Sequence, residues 1–199
     1  MTKPELTQEQ ELGQLRQDID LIDQQIQSLI NQRATCAQRV AEVKQLHQGS
    51  QDAVFYRPER EAQVLRNVME RNEGPLGDEE MARLFRELMS ACLAHEQPMK
   101  IAFLGPEGTF TQAAALKHFG HSVISAPLSS IDEVFREVEA KRAHYGVVPI
   151  ENSSEGMVNN TLDSFRHSSL VISGEVEMRI HQNLLVKSGS DLSQIECIY

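Results

Sequence analysis

The sequence predicts an all-α domain followed by a parallel α/β lobe, and three observations carry that expectation. Up to Gln97 the apolar residues recur only at helical spacing. From Lys100 onward short apolar runs alternate with amphipathic stretches, the pattern of strands and helices laid in layers. Between them "EQPMK" breaks both periods, so domains are expected over 1–97 and 98–199. With 40% hydrophobic residues among 199, the chain can build a core in each.

In the first half a heptad seam runs Leu15, Ile19, Ile22, Ile26, Leu29, Arg33, Cys36, Val40, Val43, with one charged member. It predicts a helix over 7–47, about eleven turns, closed by the polar loop "QGSQD". Such length implies a partner packing along it. Pro58 fits the first turn of a second helix, 58–72. "NEGPLGD" is a break, and Asp78 is the expected N-cap of a third helix, 78–96, with Glu79 and Glu80 complementing its dipole. That helix is expected to bury Met81, Phe85, Leu88 or Met89, and Cys92.

In the second half "KIAFLG", "SVISAP" and "YGVVPIEN" read as strands. "TQAAALKHFG", "SIDEVFREVEAKRA" and "VNNTLDSFRHS" read as helices, the first ending at Gly120. "LVISGEVEMRIHQNLLV" reads as extended segments. No internal repeat or low-complexity segment is present.

Net charge is −10, and both halves are acidic, which disfavours nucleic acid and anionic membranes as partners. "MTKPELTQEQELGQ" has no apolar core of a signal peptide, and no run is long enough to span a bilayer. Three cysteines, Cys36, Cys92 and Cys197, lack metal-ligand spacing. They are expected to be reduced, Cys36 and Cys92 as core thiols, in a cytoplasmic protein.

Charges on packing faces point to chemistry. Arg33 and Lys44 are three turns apart, so they project from nearly the same side of the first helix, with Cα atoms about 16 Å apart. Glu96 lies one turn after Cys92 on the apolar stripe of the third helix, and Arg57, Arg60 and Glu61 open the second. A lone arginine at such a place can snorkel at the edge of a coiled coil. Three helices each with a misplaced charge ask for another reason. A buried unpaired arginine costs several kcal/mol, and a bound carboxylate is a partner that removes that cost.

Leu15-Arg16, "NQR", "VAEVK", "YRPERE" and "LFRELMSACLAHEQP" together resemble the all-helical chorismate mutase family over 6–97. The resemblance implies an intertwined homodimer through the long first helix, and rearrangement of chorismate to prephenate without metal or cofactor. By it, Arg33 and the Arg16 of the other subunit would clamp the two carboxylates. Lys44 would reach a carboxylate and the ether oxygen, Glu61 the ring hydroxyl, and Arg60 would support the carboxylate site. Three positions depart from the family pattern. Arg57 stands for an acidic residue, Cys92 for a serine, which leaves only a backbone contact at this position, and Glu96 for a glutamine that donates to the ether oxygen. A glutamate there can donate only when protonated, and burial next to a dianion is expected to raise its pKa.

"IAFLGPEGTFTQAAA" and "YGVVPIENSSEGMVNNTLD" resemble the N-terminal part of prephenate dehydratase over 100–186. Read physically, "GPEGTFTQ" ends a strand and opens a helix, so Thr109, Thr111 and free backbone N–H groups could cradle a carboxylate. "PIENSSEG" sits at the C-terminal edge of a strand, where open α/β sheets bind ligands. Glu151 and Asn152 match the substrate-site pair of the family, with Ser153 as neighbour. Read without a ligand, Asn152 and Ser154 form a turn and cap the next helix. The family's later segment with a catalytic threonine, and its phenylalanine-sensing domain, are expected beyond the sequence, which leaves this lobe incomplete. The competing reading is a non-catalytic helical dimerisation arm attached to a small-molecule-binding α/β lobe.

Overall fold

In the computed structural model, which describes residues 7–48, 56–154, 156–181 and 183–190, three helices precede a three-stranded parallel sheet. The loop that follows the first helix, and Cys197, lie outside the described residues. Helix α1 spans Gln8–Gln48, α2 Pro58–Glu70 and α3 Asp78–Glu96. The three expected helices are all present, with ends displaced by no more than two residues. Pro58 takes the first turn of α2 as expected. Asp78 is not the N-cap of α3. Gly77 holds that place, and the Asp78 carboxylate instead accepts from Asn72 Nδ2 at 2.7 Å, which closes the turn between the helices. An Asn donor within reach outcompetes the helix's own N–H groups for that oxygen.

Helix α1 does not pack on its own chain along the heptad seam. Leu15, Ile19, Ile22, Ile26, Leu29, Val40 and Val43 are all exposed. Cys36 on the same seam is exposed as well, contrary to the expectation of a core thiol, because nothing among the described residues covers the seam. The contact to α3 uses the stripe next to it: Ala34, Ala37, Ala41 and Lys44, with Arg33 at its border. Small side chains there let the two helix axes approach closely. Residues 14–32 are exposed throughout, so about 30 Å of helix runs beyond the rest of the chain. Cys92 is buried as expected, along with Ala82 and Ser90, whereas Met81, Phe85, Leu88 and Met89 are only half-buried.

The sheet is built from β1 (Lys100–Leu104), β2 (Ile124–Leu128) and β3 (Tyr145–Val147), in the order β2-β1-β3, all parallel. Helices α4 (Phe110–Phe119) and α5 (Ile131–Glu139) make the crossovers. The alternation of side chains along β1 sorts the core into two. Ile101 joins Met99, Ala115 and Phe119 on one face. Ala102 joins Val134 and Ala143 on the other. A two-stranded hairpin, β4 (Glu151–Asn152) and β5 (Gly156–Met157), follows β3, and α6 (Asn159–His167) closes the regular structure. Buried Thr161 in α6 donates to the Pro149 carbonyl at 2.7 Å and so pins the hairpin to the sheet.

Beyond α6 the described residues form no strand, although extended segments were expected there. Apolar composition makes a segment suited to a sheet, but a strand exists only where a neighbour completes the ladder. Val171, Ile172 and Leu185 are largely exposed as a result. No described helix is long and apolar enough to cross a membrane.

The helical domain and the lobe meet through α3. Glu87 accepts from the His121 backbone N–H at 3.0 Å, and Ser90 Oγ accepts from Ser122 N–H at 3.3 Å. Between them Gly120, the C-cap of α4, has φ 79° and ψ 177°, a conformation open in practice only to glycine. A Cβ at this position would lie 2.5 Å from Ser90 Cβ. Gly120→Ala is therefore expected to lower the melting temperature by roughly 5 °C or more, as follows from a penalty of about 1–3 kcal/mol for the backbone alone. Calorimetry checks it, and a variant that melts with the wild type would show that α3 and α4 are not held this closely.

Candidate active site

The alanine stripe of α1 places two cations against α3. Arg33 Nη1 lies 3.2 Å from Cys92 Sγ and donates to it. A thiol is a weak acceptor, so most of the guanidinium's capacity for hydrogen bonds stays available. Lys44, three turns on, faces the same helix, half-buried. Glu96 sits between their fields. Burial raises its pKa above the ordinary carboxylate value, and Lys44 first and Arg33 second pull it back. Four predicted residues, Arg33, Lys44, Cys92 and Glu96, thus share one half-buried site formed by α1 and α3.

Glu61 is not part of that cluster. From the first turn of α2 it meets Arg86 of α3, with Arg86 Nε 3.5 Å from Glu61 Oε1. Arg86 is less than two turns before Cys92, about 9 Å along the helix. Burial raises the Glu61 pKa, opposed by the Arg86 charge and by hydrogen bonds from Tyr56 and Arg86. Arg86 Nε is buried and has no partner at ordinary hydrogen-bond geometry among the described residues, so the long contact to Glu61 is what offsets its desolvation. Arg57 and Arg60 are exposed at the start of α2, where the Arg57 carbonyl accepts the first helical N–H groups. Arg16 is exposed on the free half of α1, far along the helix from Arg33.

Neither Tyr56 nor Arg86 was singled out from the sequence. Arg86 carried a usable signal: it stands one turn from Ala82 and one turn from Ser90, both buried, so it is a charge within a buried stripe just as Arg33 and Glu96 are. Tyr56 precedes its helix and obeys no period, and only the fold brings it to Glu61.

In the lobe the predicted residues lie on one edge of the sheet. β1 and β3 are parallel neighbours, so "GPEGTF" and "PIEN" both leave at their C-terminal ends. The cradle at α4 is partly closed on itself, which corrects the expectation of free N–H groups. Thr109 Oγ1 accepts from Gln112 N–H at 3.3 Å and donates to the Leu104 carbonyl at 3.2 Å. Gln112 Oε1 in turn accepts from Gly108 N–H at 2.6 Å. Thr111 is half-buried in the first turn of α4. Glu151, Asn152 and Ser153 are exposed. Asn152 Oδ1 accepts from Ser154 N–H at 2.9 Å, the turn geometry read from the sequence, while the N-cap of α6 is Val158 and not a residue of that turn.

Comparison with known proteins divides the chain at the same place. A family model for chorismate mutase type II matches residues 15–97, and one for prephenate dehydratase matches residues 101–199. A bifunctional chorismate mutase/prephenate dehydratase of Stutzerimonas stutzeri is 60% identical over 195 residues, covering 98% of this chain and 53% of the relative. The protein of that name from Pseudomonas aeruginosa is 58% identical with the same coverage. The one from Escherichia coli K12 is 31% identical over 216 aligned positions, covering 98% of this chain and 54% of the relative. The chain spans about half the length of the curated relatives it matches. The chain thus joins a helical segment that matches the chorismate mutase type II family model to a segment that matches the prephenate dehydratase family model.

Proposed function

We propose that the helical domain is a chorismate mutase, rearranging chorismate to prephenate, and that the α/β lobe belongs to a dehydratase converting prephenate to phenylpyruvate in phenylalanine biosynthesis. The observation that carries the mutase reading is the convergence of Arg33 and Lys44 on Cys92 and Glu96 in a half-buried site.

A [3,3] rearrangement needs no nucleophile and no electron sink. The protein must hold a flexible dianion in its compact reactive shape and stabilise the charge that develops on the breaking ether oxygen. Arg33, with most of its fork unspent on a thiol, binds one carboxylate bidentately. Lys44 takes a carboxylate and the ether oxygen as a point charge. Glu96 in its neutral form donates a hydrogen bond to the same ether oxygen. Glu61 accepts from the ring hydroxyl, Arg60 supports the carboxylate site, Cys92 contributes through its backbone, and Arg57 borders the pocket.

The second carboxylate needs a cation that the chain cannot supply from Arg16 to its own site, since about 25 Å of α1 separates Arg16 from Arg33. A second copy, packed seam to seam along α1, delivers the partner subunit's Arg16. The exposed Leu15, Ile19, Ile22, Ile26 and Leu29 support that homodimer, each contributing about 1.5–3 kcal/mol when covered. In the lobe, Thr109, Thr111, Glu151, Asn152 and Ser153 line the prephenate-binding edge.

Loss of chorismate absorbance tests the reading directly. Wild type is expected to consume chorismate, and Arg33→Ala to lose roughly a hundredfold or more in kcat/KM, in line with two charge-assisted contacts. A wild type without activity would leave the non-catalytic binding arm as the better account. Mutase activity is expected to decline as pH rises through the raised Glu96 pKa, because the donor is the protonated form. Glu96→Gln keeps a donor at every pH and should flatten that limb. A wild-type profile level up to about pH 9 would remove the proton from the mechanism. Ile22→Glu, at the middle of the seam, is expected to shift the protein from dimer to monomer in sedimentation velocity, and to lower activity with it. A variant that stays dimeric places the interface elsewhere.

A further inference from the structure

Tyr56 belongs to two domains at once. Its ring sits in the lobe, 5.7 Å from Phe119 of α4 and 5.4 Å from Tyr145 of β3 in an edge-on contact. Phe119 and Tyr145 touch each other at 5.2 Å, so the three rings close a triangle. Its hydroxyl acts on the Glu61 carboxylate and helps to keep it ionised. Glu61 is held from its other side by Arg86 at 3.5 Å.

We propose that Tyr56 and Arg86 are positioning residues for Glu61, and that the α/β lobe, by gripping the Tyr56 ring, sets the carboxylate that receives the ring hydroxyl of chorismate. This rests on the mutase reading given above.

The reasoning is geometric. A glutamate side chain has three torsions, and an acceptor for a single hydroxyl works only if its oxygen is held in place. Two groups from different elements, the Tyr56 hydroxyl ahead of α2 and the Arg86 guanidinium on α3, act on the same carboxylate. The tyrosine donor can stay put because its ring is packed among aromatic side chains, where offset and edge-on pairs favour one orientation. Displacing the lobe from the helices would therefore withdraw one of Glu61's two supports. Other charged groups around the pair are few. His118 of α4 and Glu87 of α3 lie within the field of Arg86, His121 pairs with Glu87, and Glu59 of α2 acts on Tyr145.

The sign of the pH effect follows. Arg86 and the Tyr56 hydroxyl both favour ionised Glu61, against burial that disfavours it. Removing either donor leaves burial less opposed, so Glu61 takes up its proton at a higher pH. The acid limb of mutase kcat/KM should move upward, while the alkaline limb set by Glu96 stays where it is. Substitutions that only loosen the fold change the height of the profile and leave both limbs in place.

The test measures mutase pH profiles and KM for chorismate with the full chain and with Tyr56→Phe, Arg86→Gln and Arg86→Lys. Tyr56→Phe keeps the ring and drops the donor. It is expected to raise KM by roughly three- to tenfold, the scale of one hydrogen bond to a charged group, and to shift the acid limb upward. Arg86→Gln should do the same, and Arg86→Lys, which keeps the charge, should restore most of the position of the limb. The arginine pair carries the test by itself if the tyrosine variant fails to fold. Active wild type with acid limbs superimposable on those of Tyr56→Phe and Arg86→Gln overturns the proposal and leaves the mutase reading standing. Wild type that does not consume chorismate overturns both.

Discussion

Close contact between α1 and α3 is the constraint from which the helical site follows. Ala34, Ala37 and Ala41 give α1 a shallow stripe, and α3 seats against it with Ala82, Ser90 and Cys92 buried. Long side chains at either end of a shallow stripe have nowhere to go but along it. Arg33 and Lys44 therefore lean over the same patch of α3, where Cys92 and Glu96 are the groups they meet. Larger residues in place of the alanines would lift the helices apart and release both cations to water. Packing of the smallest side chains thus decides where the largest ones act.

The charge arrangement that results is deliberately unfinished within one chain. Two cations face one glutamate whose burial favours its neutral form, and the hydrogen bond that Arg33 makes among the described residues goes to a thiol. The free half of α1, with its exposed aliphatic seam, is unfinished in the same sense. In the proposed mutase a second copy and a dianionic substrate would answer both.

The helical domain and the lobe are joined by more than a linker. Ser90 and Glu87 on α3 hold the turn at Gly120 to Ser122, and Tyr56 lends its ring to the lobe's core cluster. Met99 and Leu93 complete that cluster from the helical side and the junction. The hydrophobic face of the sheet that α4 covers is therefore continued by residues from before residue 100. A division drawn from the sequence at Gln97 is right for the chain's periodicity and family matches, yet the core itself crosses it.

Much was legible before any coordinates. Period 3.6 and its end at Gln97, Pro58 at a helix start, Gly120 at a helix stop and the alternation of strands with helices all come from local rules, since each depends on a few neighbouring residues. Arg33 and Glu96 were legible as charges on regular apolar stripes, Lys44 as a cation on the same side as Arg33, and Cys92 as a core thiol. What the sequence left undecided was every relation between stripes. The seam of α1 was the obvious packing face, but the alanine stripe beside it won within the chain, because a close helix pair needs small residues more than it needs apolar ones. Asp78 obeyed the rule for an N-cap, yet a donor from across the turn took its oxygen. The apolar stretch after α6 had strand composition and no neighbour to pair with among the described residues. Arg86 and Tyr56 reached Glu61 only through the stacking of α3 and the lobe against α2. Local sequence determined the elements because their physics is short-ranged, and tertiary structure alone chose the partners because two side chains far apart in the chain meet only after the backbone has brought them together.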